Sequence, residues 1–316
     1  MAIPLTRRLA FSEIPQIDAA PLFEEDLPSA TVGELARACE EVGFFYVANH
    51  GVPAKLIEDV RSAAGAFFER PMDEKMLIRL DQRMRGYLPL DYSSYEGEDR
   101  AAKSHQEGFW MSYERSLDET RPMHGPNLWP KGHPALRSSM EAYFAAAERL
   151  ANALLRGFSA ALGQAPDTLG QYFAAPQTML KLNHYPPQDS PQSIKHIGVV
   201  PHTDSGAFTI LWQDEGDGLE IQNKDGEWIG APLIPGTFVI NIGNVMQTWS
   251  KGRFSSTPHR VINRGGRDRY SIPMFVNPGH EAPVGPMAGD AIEADEVFGD
   301  YIRDIWRRTF PVAEIP

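Results

Sequence analysis

The segment VPHTDSGAFTILWQ (residues 200–213) joins an apolar strand to two polar side chains. Residues 208–212 have the composition of a buried strand, and His202 and Asp204 stand just before them. In an extended chain residues i and i+2 point to the same side, so the imidazole and the carboxylate are expected to face one point. This segment alone leaves two interpretations open: polar groups that cap a strand, or two ligands of one metal ion.

Short strands separated by turns surround this segment. From about residue 178 onward the strand candidates are TMLKLNHY, GAFTILW, GLEIQN, TFVINIG, HRVIN and RYSIPMFV, with turn signals such as DEGDG and NRGGRD between them. Many short strands at regular spacing are typical of a β-sandwich or barrel. We therefore expect a mainly β fold with flanking helices, packed as one compact unit.

The N-terminal part of the chain shows helical periodicity instead. Apolar spacing predicts helices over 31–42, closed by Gly43, and over 54–69, with a long helix over about 134–162. Residues 81–113 have poor periodicity and many aromatic side chains. Because long irregular segments of compact domains are often functional, we expect this segment to form part of a binding pocket.

Composition excludes several classes of protein. The 316 residues carry a formal charge of −12, which argues against a nucleic-acid partner. Cys39 is the only cysteine, so an intrachain disulfide and a cysteine metal cluster are excluded, and its position on a helix face predicts a core thiol. No signal-like or membrane-spanning apolar run occurs. We expect a cytoplasmic protein with no membrane association and no obligate protein partner.

A third metal ligand and an anion site can be placed from the same alternation. His259 in HRVIN is the candidate third ligand; two imidazoles and a carboxylate suit non-haem Fe(II), although zinc hydrolases use similar sets. Arg269 and Ser271 share one strand face, and arginine grips carboxylates with two hydrogen bonds. In TMLKLNHY the same alternation puts Lys181, Asn183 and Tyr185 on one face, and His184 on the other as a packing or outer hydrogen-bonding residue.

Taken in order, these motifs resemble the Fe(II)/2-oxoglutarate-dependent oxygenases of the isopenicillin N synthase-like branch. HTD (202–204), His259 and RYS (269–271) are similar to the family pattern H-x-D…H…R-x-S. VGFFYVANHGVP (42–53) looks like the branch's amino-terminal signature, and NHYPP (183–187) like its N-x-Y-P stretch. H-x-D alone is common by chance, whereas the ordered set is specific and covers about residues 14 to 280.

The resemblance implies a distorted double-stranded β-helix, or jelly roll, over 126–316, with a backing helix and a C-terminal helix. It also implies an N-terminal helix and strand region over 1–125. It implies oxidation of a small molecule by O2, coupled to decarboxylation of 2-oxoglutarate to succinate and CO2. The implied site residues are the Fe(II) ligands His202, Asp204 and His259, and the 2-oxoglutarate-binding residues Arg269, Ser271, Tyr185 and Asn183.

The substrate is less closely defined. A largely apolar, medium-sized metabolite fits the composition of the expected pocket, and hydroxylation, desaturation, ring closure and ring expansion are all compatible with it. The candidate substrate-lining residues are Met84, Tyr87, His105, Glu107, Phe109, Trp110, Phe208 and Phe275.

Two other functions remain open at this point. An oxidase of the same fold that uses no 2-oxoglutarate, such as isopenicillin N synthase or ACC oxidase, can place the same arginine and serine on another carboxylate. A non-catalytic jelly-roll binding protein is the third candidate, and the intact set of ligands argues against it.

Overall fold

The computed structural model describes residues 14–92, 103–119, 121, 123–187, 196–215, 218–264 and 266–310. Its helices are α1 (Ser29–Glu41), α2 (Ala54–Phe68), α3 (Met72–Met76), α4 (Pro134–Ala161), α5 (Asn244–Trp249) and α6 (Phe298–Thr309), with short 3-10 helices at Ala20–Phe23 and Gly170–Phe173. Its strands are β1 (Gln16–Asp18), β2 (Phe44–Ala48), β3 (Gly86–Leu88), β4 (Lys103–Ser104), β5 (Glu107–Ser112), β6 (Met179–Tyr185), β7 (His196–Ile197), β8 (Val199–His202), β9 (Phe208–Gln213), β10 (Leu219–Gln222), β11 (Trp228–Gly230), β12 (Phe238–Ile242), β13 (His259–Val261), β14 (Arg269–Val276), β15 (Met287–Ala288) and β16 (Ala291–Ile292).

Two sheets form the core. The larger has the strand order β1-β2-β12-β9-β14-β6-β5-β3, with β1 and β2 parallel and the other neighbours antiparallel. The smaller is antiparallel, in the order β11-β10-β13-β8. Phe44 and Tyr46 of the large sheet pack in one apolar cluster with Leu219 and Ile221 of the small one. The two sheets therefore face each other, which confirms the predicted jelly-roll core.

Helices cover the outer face of the large sheet. The ring of Phe158 in α4 makes edge contacts with Phe45 of β2 and Phe208 of β9, at centroid distances of 6.5 and 5.1 Å. Helix α4 ends at Ala161; Gly163, two residues later, has a positive φ of 78°, and the N–H of Gln164 donates to the carbonyl of Ser159 at 2.9 Å. This is a glycine-dependent helix ending.

Each strand of the large sheet thus presents alternate residues to the helices and to the space between the sheets. On β5, Phe109 packs on Phe67 of α2 at 5.3 Å, whereas its neighbour Trp110 stacks on Phe275 of β14 at 5.8 Å. The side to which a residue points decides whether it stabilises the helix layer or faces the interior.

The helices over 29–41, 54–68 and 134–161 confirm the periodicity-based predictions. The expectation that 81–113 is irregular is wrong in part, because β3 and β5 lie inside it. All six residues of β5 are buried. A strand covered on both faces has no alternation of apolar and polar residues, so its sequence carries no period-2 signal.

Gly43 fixes the approach of α1 to the segment that precedes β13. Its φ is 72°, and a Cβ at this position would lie 2.0 Å from the carbonyl oxygen of Ser255. The hydroxyl of Thr257 donates to the carbonyl of Val42 at 2.6 Å, and the N–H of Ser255 donates to that of Cys39 at 2.9 Å. The end of α1 therefore anchors residues 255–257, which lead directly into His259.

We expect Gly43→Ala to destabilise the protein more than Gly163→Ala does. Both glycines have a positive φ, but a Cβ on Gly163 meets nothing within 4 Å. The control should lose about 1 kcal/mol from backbone strain, and Gly43→Ala about 1–3 kcal/mol more from overpacking. Equal losses in denaturant-induced unfolding would contradict the tight contact at Gly43.

Candidate active site

His202, Asp204 and His259 converge on one point at the end of the small sheet. His202 ends β8 and is the cross-strand partner of His259, the first residue of β13, while Asp204 lies in the loop after β8. Asp204 Oδ1 is 3.6 Å from His202 Nε2 and 3.8 Å from His259 Nε2. One ligand atom from each residue lies within 4.8 Å of the other two, which is close enough for all three to contact one metal ion.

Hydrogen bonds orient each of these side chains. Nδ1 of His202 lies 2.9 Å from the carbonyl oxygen of Val200, and Nδ1 of His259 lies 3.2 Å from that of Thr257. A carbonyl oxygen only accepts, so Nδ1 carries a proton in both rings, and in the neutral form of each ring the lone pair is on Nε2. This tautomer and ring orientation are what a metal-binding histidine requires.

The carboxylate of Asp204 is held through one oxygen. Its Oδ2 accepts hydrogen bonds from the hydroxyl of Thr209 and, at 2.7 Å, from Nδ2 of Asn241. Its Oδ1 is left facing the two imidazoles. The arrangement therefore suits a carboxylate that binds a metal with one oxygen.

The protonation states agree with metal binding. Burial raises the pKa of Asp204, but the neighbouring His259 and His202 and the hydrogen bond from Thr209 outweigh it and hold the pKa well below its ordinary value. Burial, and next the charge of His202, lower the pKa of His259 to about 4. At neutral pH the site thus offers an ionised carboxylate and a neutral His259 imidazole.

The loop that carries Asp204 is fixed to the start of α5. The N–H of Asn244 donates to the carbonyl of Asp204 at 2.8 Å, and the N–H of Val245 to that of Gly206 at 3.1 Å. A Cβ on Gly206 would lie 2.0 Å from Asn277 Oδ1, and one on Gly243 would lie 2.2 Å from the carbonyl oxygen of Gly206. Only glycine fits at positions 206 and 243, and the two backbone hydrogen bonds hold the loop against α5.

A polar cluster on two adjacent strands of the large sheet consists of Arg269, Ser271, Tyr185 and Asn183. Arg269 pairs with Tyr185 across β14 and β6, and Ser271 pairs with Asn183. Arg269 is 1% exposed, and its guanidinium lies 4.8 Å from the centroid of the Tyr185 ring. Ser271 Oγ is 3.1 Å from Asn183 Nδ2 and 3.4 Å from Tyr185 Oη. The four side chains predicted to bind one carboxylate therefore lie together.

A cavity of about 580 Å³ opens beside His202 and Asp204. This volume is in the range that holds a small organic ligand. Trp110 and Phe275, two of the predicted substrate-lining residues, are in its wall. Much of the remaining wall comes from α6 and the residue after it, including Tyr301, Ile302, Ile305, Trp306, Thr309 and Phe310.

Sequence reasoning missed the contribution of α6. The expected C-terminal helix is present as α6, and the helical spacing of Tyr301, Ile305 and Trp306 is visible in FGDYIRDIWRRT. Which surface that apolar stripe covers depends on how the chain returns to the core. The sequence carries no signal for that contact.

Met84, Tyr87, Glu107, Phe109 and Phe208 are not part of this cavity wall. Phe109 and Phe208 point to the helix layer, and Met84 is fully buried in the same apolar cluster. Glu107 accepts hydrogen bonds from Lys75 at 2.7 Å and from Tyr87, and it lies 2.7 Å from His184 Nδ1. Tyr87, Glu107, Phe109 and Phe208 lie on the opposite face of the sheet because side chains alternate along each strand.

Two further histidines have partners outside the cavity. His105 Nδ1 lies 2.8 Å from Asp91 Oδ1, and His105 is absent from the cavity wall. His184 Nε2 lies 2.7 Å from Asp268 Oδ1, and its ring stacks against both Phe68 and Tyr270. His184 is thus a packing and outer hydrogen-bonding residue, as its strand position predicts.

Comparisons with known proteins agree with this geometry. The family model for the non-haem dioxygenase in morphine synthesis N-terminal region matches residues 14–132, and that for the 2OG-Fe(II) oxygenase superfamily matches 176–278. A homoarginine-6-hydroxylase of Glycine max is 35% identical over 297 residues, which cover 88% of this chain and 89% of the relative. The chain belongs to the Fe(II)/2-oxoglutarate-dependent oxygenases.

Other relatives extend the comparison. Clavatol oxidase claD of Penicillium crustosum is 31% identical to this oxygenase, with coverage of 90% and 91% of the two chains. The crystal structure of JOX2 in complex with 2OG, Fe and JA superposes with a TM-score of 0.77 at 27% identity, covering 96% of this chain and 86% of that one.

These relatives establish the class of reaction. The oxygenase is a non-haem enzyme that uses Fe(II), 2-oxoglutarate and O2 and acts on a small metabolite. They favour this function over a 2-oxoglutarate-independent oxidase and over a non-catalytic binding protein. Within the residues described, no helix is both long and apolar enough to span a membrane.

We expect Asn241→Ala to lower the metal affinity of the oxygenase by about 10- to 100-fold, because Asp204 loses a hydrogen bond that orients it. The measurement is anaerobic calorimetric titration with Fe(II) or Mn(II). Asn127→Ala is the matched control: Asn127 is also buried, but it bonds Ser112 and Glu114 instead. Unchanged affinity in Asn241→Ala would show that this bond does not support the site.

We also expect Phe275→Ala to change substrate preference and Phe109→Ala to lower stability. Phe275→Ala enlarges the cavity and should change which small metabolites stimulate succinate formation. Phe109→Ala leaves a hole under the helices and should cost about 3–5 kcal/mol of stability without changing that preference. Parallel unfolding curves and substrate panels compare the two variants. A changed preference in Phe109→Ala alone would place the substrate on the other side of the sheet.

Proposed function

We propose that the oxygenase holds Fe(II) through Nε2 of His202, Oδ1 of Asp204 and Nε2 of His259. The convergence of these three atoms, each with a lone pair aimed at the same point, is the observation that carries the proposal. Two imidazoles and one carboxylate leave coordination positions open, as non-haem Fe(II) oxygenases require. Together with 2-oxoglutarate and O2, the bound metal supplies the oxidising chemistry.

We further propose that Arg269 and Ser271 bind the distal carboxylate of 2-oxoglutarate, with Tyr185 and Asn183 beside them. A guanidinium provides a planar pair of donors that match a carboxylate. Burial raises the pKa of Tyr185, so its hydroxyl stays protonated and can donate. The cluster is almost completely shielded from water, which strengthens each of these interactions.

The cavity beside His202 and Asp204 is the proposed site of the organic substrate. Trp110, Phe275 and the α6 side chains provide apolar surface, and its volume fits one medium-sized metabolite. The Glycine max relative is named for a hydroxylation. We therefore propose oxidation at a carbon atom of a small metabolite, with hydroxylation as the outcome to be tested first.

The proposed function is tested by measuring oxygen uptake and succinate together. With Fe(II), 2-oxoglutarate and a panel of small metabolites, the wild-type protein should form succinate in proportion to the oxygen consumed. His259→Ala, which removes a ligand, should abolish both. Oxygen uptake that depends on a substrate but not on 2-oxoglutarate would instead indicate an oxidase.

Arg269→Leu should raise the half-saturating concentration of 2-oxoglutarate at least tenfold. A tenfold change corresponds to about 1.4 kcal/mol, which is at the lower end for a hydrogen bond to a charged group. Metal affinity should change little, because the three proposed ligands remain. Arg267→Leu, at an exposed arginine two residues earlier, is the control. A wild-type response to 2-oxoglutarate in Arg269→Leu would exclude this arginine from co-substrate binding.

A further inference from the structure

Lys181 is a buried charged residue that neither the metal site nor the 2-oxoglutarate site uses. It lies on β6, on the same face as Asn183 and Tyr185, and is 2% exposed. Its Nζ lies 5.0 Å from the centroid of the Trp110 ring, and Trp110 is in the cavity wall. Lys181 therefore lies between the proposed 2-oxoglutarate site and the substrate cavity.

The ammonium group of Lys181 has no counter-ion among the residues that the structure describes. Its one polar contact there is with the face of the Trp110 ring, and it meets no hydrogen-bond acceptor. Burial lowers its pKa to about 7. An unpaired buried ammonium ion reduces stability, whereas a methionine of similar length would not. A bound anion would offset this cost.

A second unsatisfied polar atom lies next to it. Oδ1 of Asn183 is buried and accepts no hydrogen bond within the described segments, although its Nδ2 donates to Ser271. Gly108 lies opposite Asn183 on β5, and a Cβ there would be 2.8 Å from Lys181 Cε and 3.7 Å from Asn183 Oδ1. The absence of a side chain at Gly108 thus makes room for the end of Lys181 beside Asn183.

The 2-oxoglutarate carboxylate proposed at Arg269 does not account for Lys181. Arg269 pairs with Tyr185, four residues and about 14 Å of strand beyond Lys181. The carboxylates in the cavity wall, Glu296 and Asp304, are exposed and screened by water. Arg308, a cation in the cavity wall, is exposed and screened as well, whereas Lys181 is a buried cation in contact with Trp110 of the wall and can meet an acidic group that enters from the cavity.

We propose that Lys181 is a specificity-determining residue that binds an oxyanion of the organic substrate, a carboxylate or an ionised phenol, with Asn183 Oδ1 available to a neighbouring hydroxyl or amino group. This inference rests on the proposed function, because it assigns the cavity to the substrate. It makes the oxygenase selective for acidic metabolites.

The experiment compares wild type, Lys181→Met, Gly108→Ala and the exposed-lysine control Lys224→Met. Each protein is loaded with Mn(II) and 2-oxoglutarate and titrated in a calorimeter with amino, hydroxy and aromatic acids, each beside its methyl ester, and with phenols beside their methyl ethers. Thermal unfolding of the metal-loaded proteins is measured in parallel. Oxygen uptake with succinate formation is measured separately, so that failure of the proposed function is recognised by itself.

Wild type should bind at least one acid or phenol ten times more tightly than its methylated partner. Lys181→Met should lose that preference, keep the 2-oxoglutarate affinity and unfold at an equal or higher temperature, because a structural cost has been removed. Gly108→Ala should weaken acid binding by displacing the lysine, and Lys224→Met should behave as wild type. The proposal would be overturned by a wild type without acid preference or by a Lys181→Met variant that keeps this preference. A large loss of 2-oxoglutarate affinity or a marked fall in stability in Lys181→Met would also overturn it.

Discussion

The pairing of His259 with His202 across β13 and β8 is the contact on which the site depends. It brings two imidazoles from distant parts of the sequence to adjacent positions, and their Nδ1 atoms are held by backbone carbonyl oxygens. The third group, Asp204, is added by a loop whose backbone is fixed to α5. All three are therefore placed by main-chain geometry, which leaves little freedom for the side chains to move apart.

Residues around the His202–His259 pair also hold the three proposed ligands in position. Phe44 packs edge-on against the His259 ring at 5.3 Å, and the preceding Gly43 contacts the segment that leads into His259. Thr209 and Asn241 come from neighbouring strands of the large sheet and both bond Asp204. The small sheet thus carries the imidazoles, and the large sheet orients the carboxylate between them.

The two faces of the large sheet have opposite roles. The outer face packs against helices and keeps its charged groups paired, as the Lys75–Glu107 ion pair shows. The inner face buries two charged groups: Arg269, which donates to Gln213 Oε1 and lies over the Tyr185 ring, and Lys181, which has no counter-ion among the described residues. An unpaired buried charge such as that of Lys181 reduces stability. A protein that keeps such groups inside stabilises itself elsewhere, and here the helix layer and its aromatic contacts provide the apolar burial.

The sequence by itself determined the mainly β core, the main helices and the identity of the residues that converge, because periodicity and ordered motifs are local signals. It correctly placed Arg269 with Ser271, since alternation along one strand is fixed by covalent geometry. It did not decide which residues line the cavity: Phe109 and Phe208 were expected there, and α6 was not. Only tertiary structure decides this, because a strand buried on both faces has no pattern in its sequence, and the surface that a terminal helix covers depends on long-range packing.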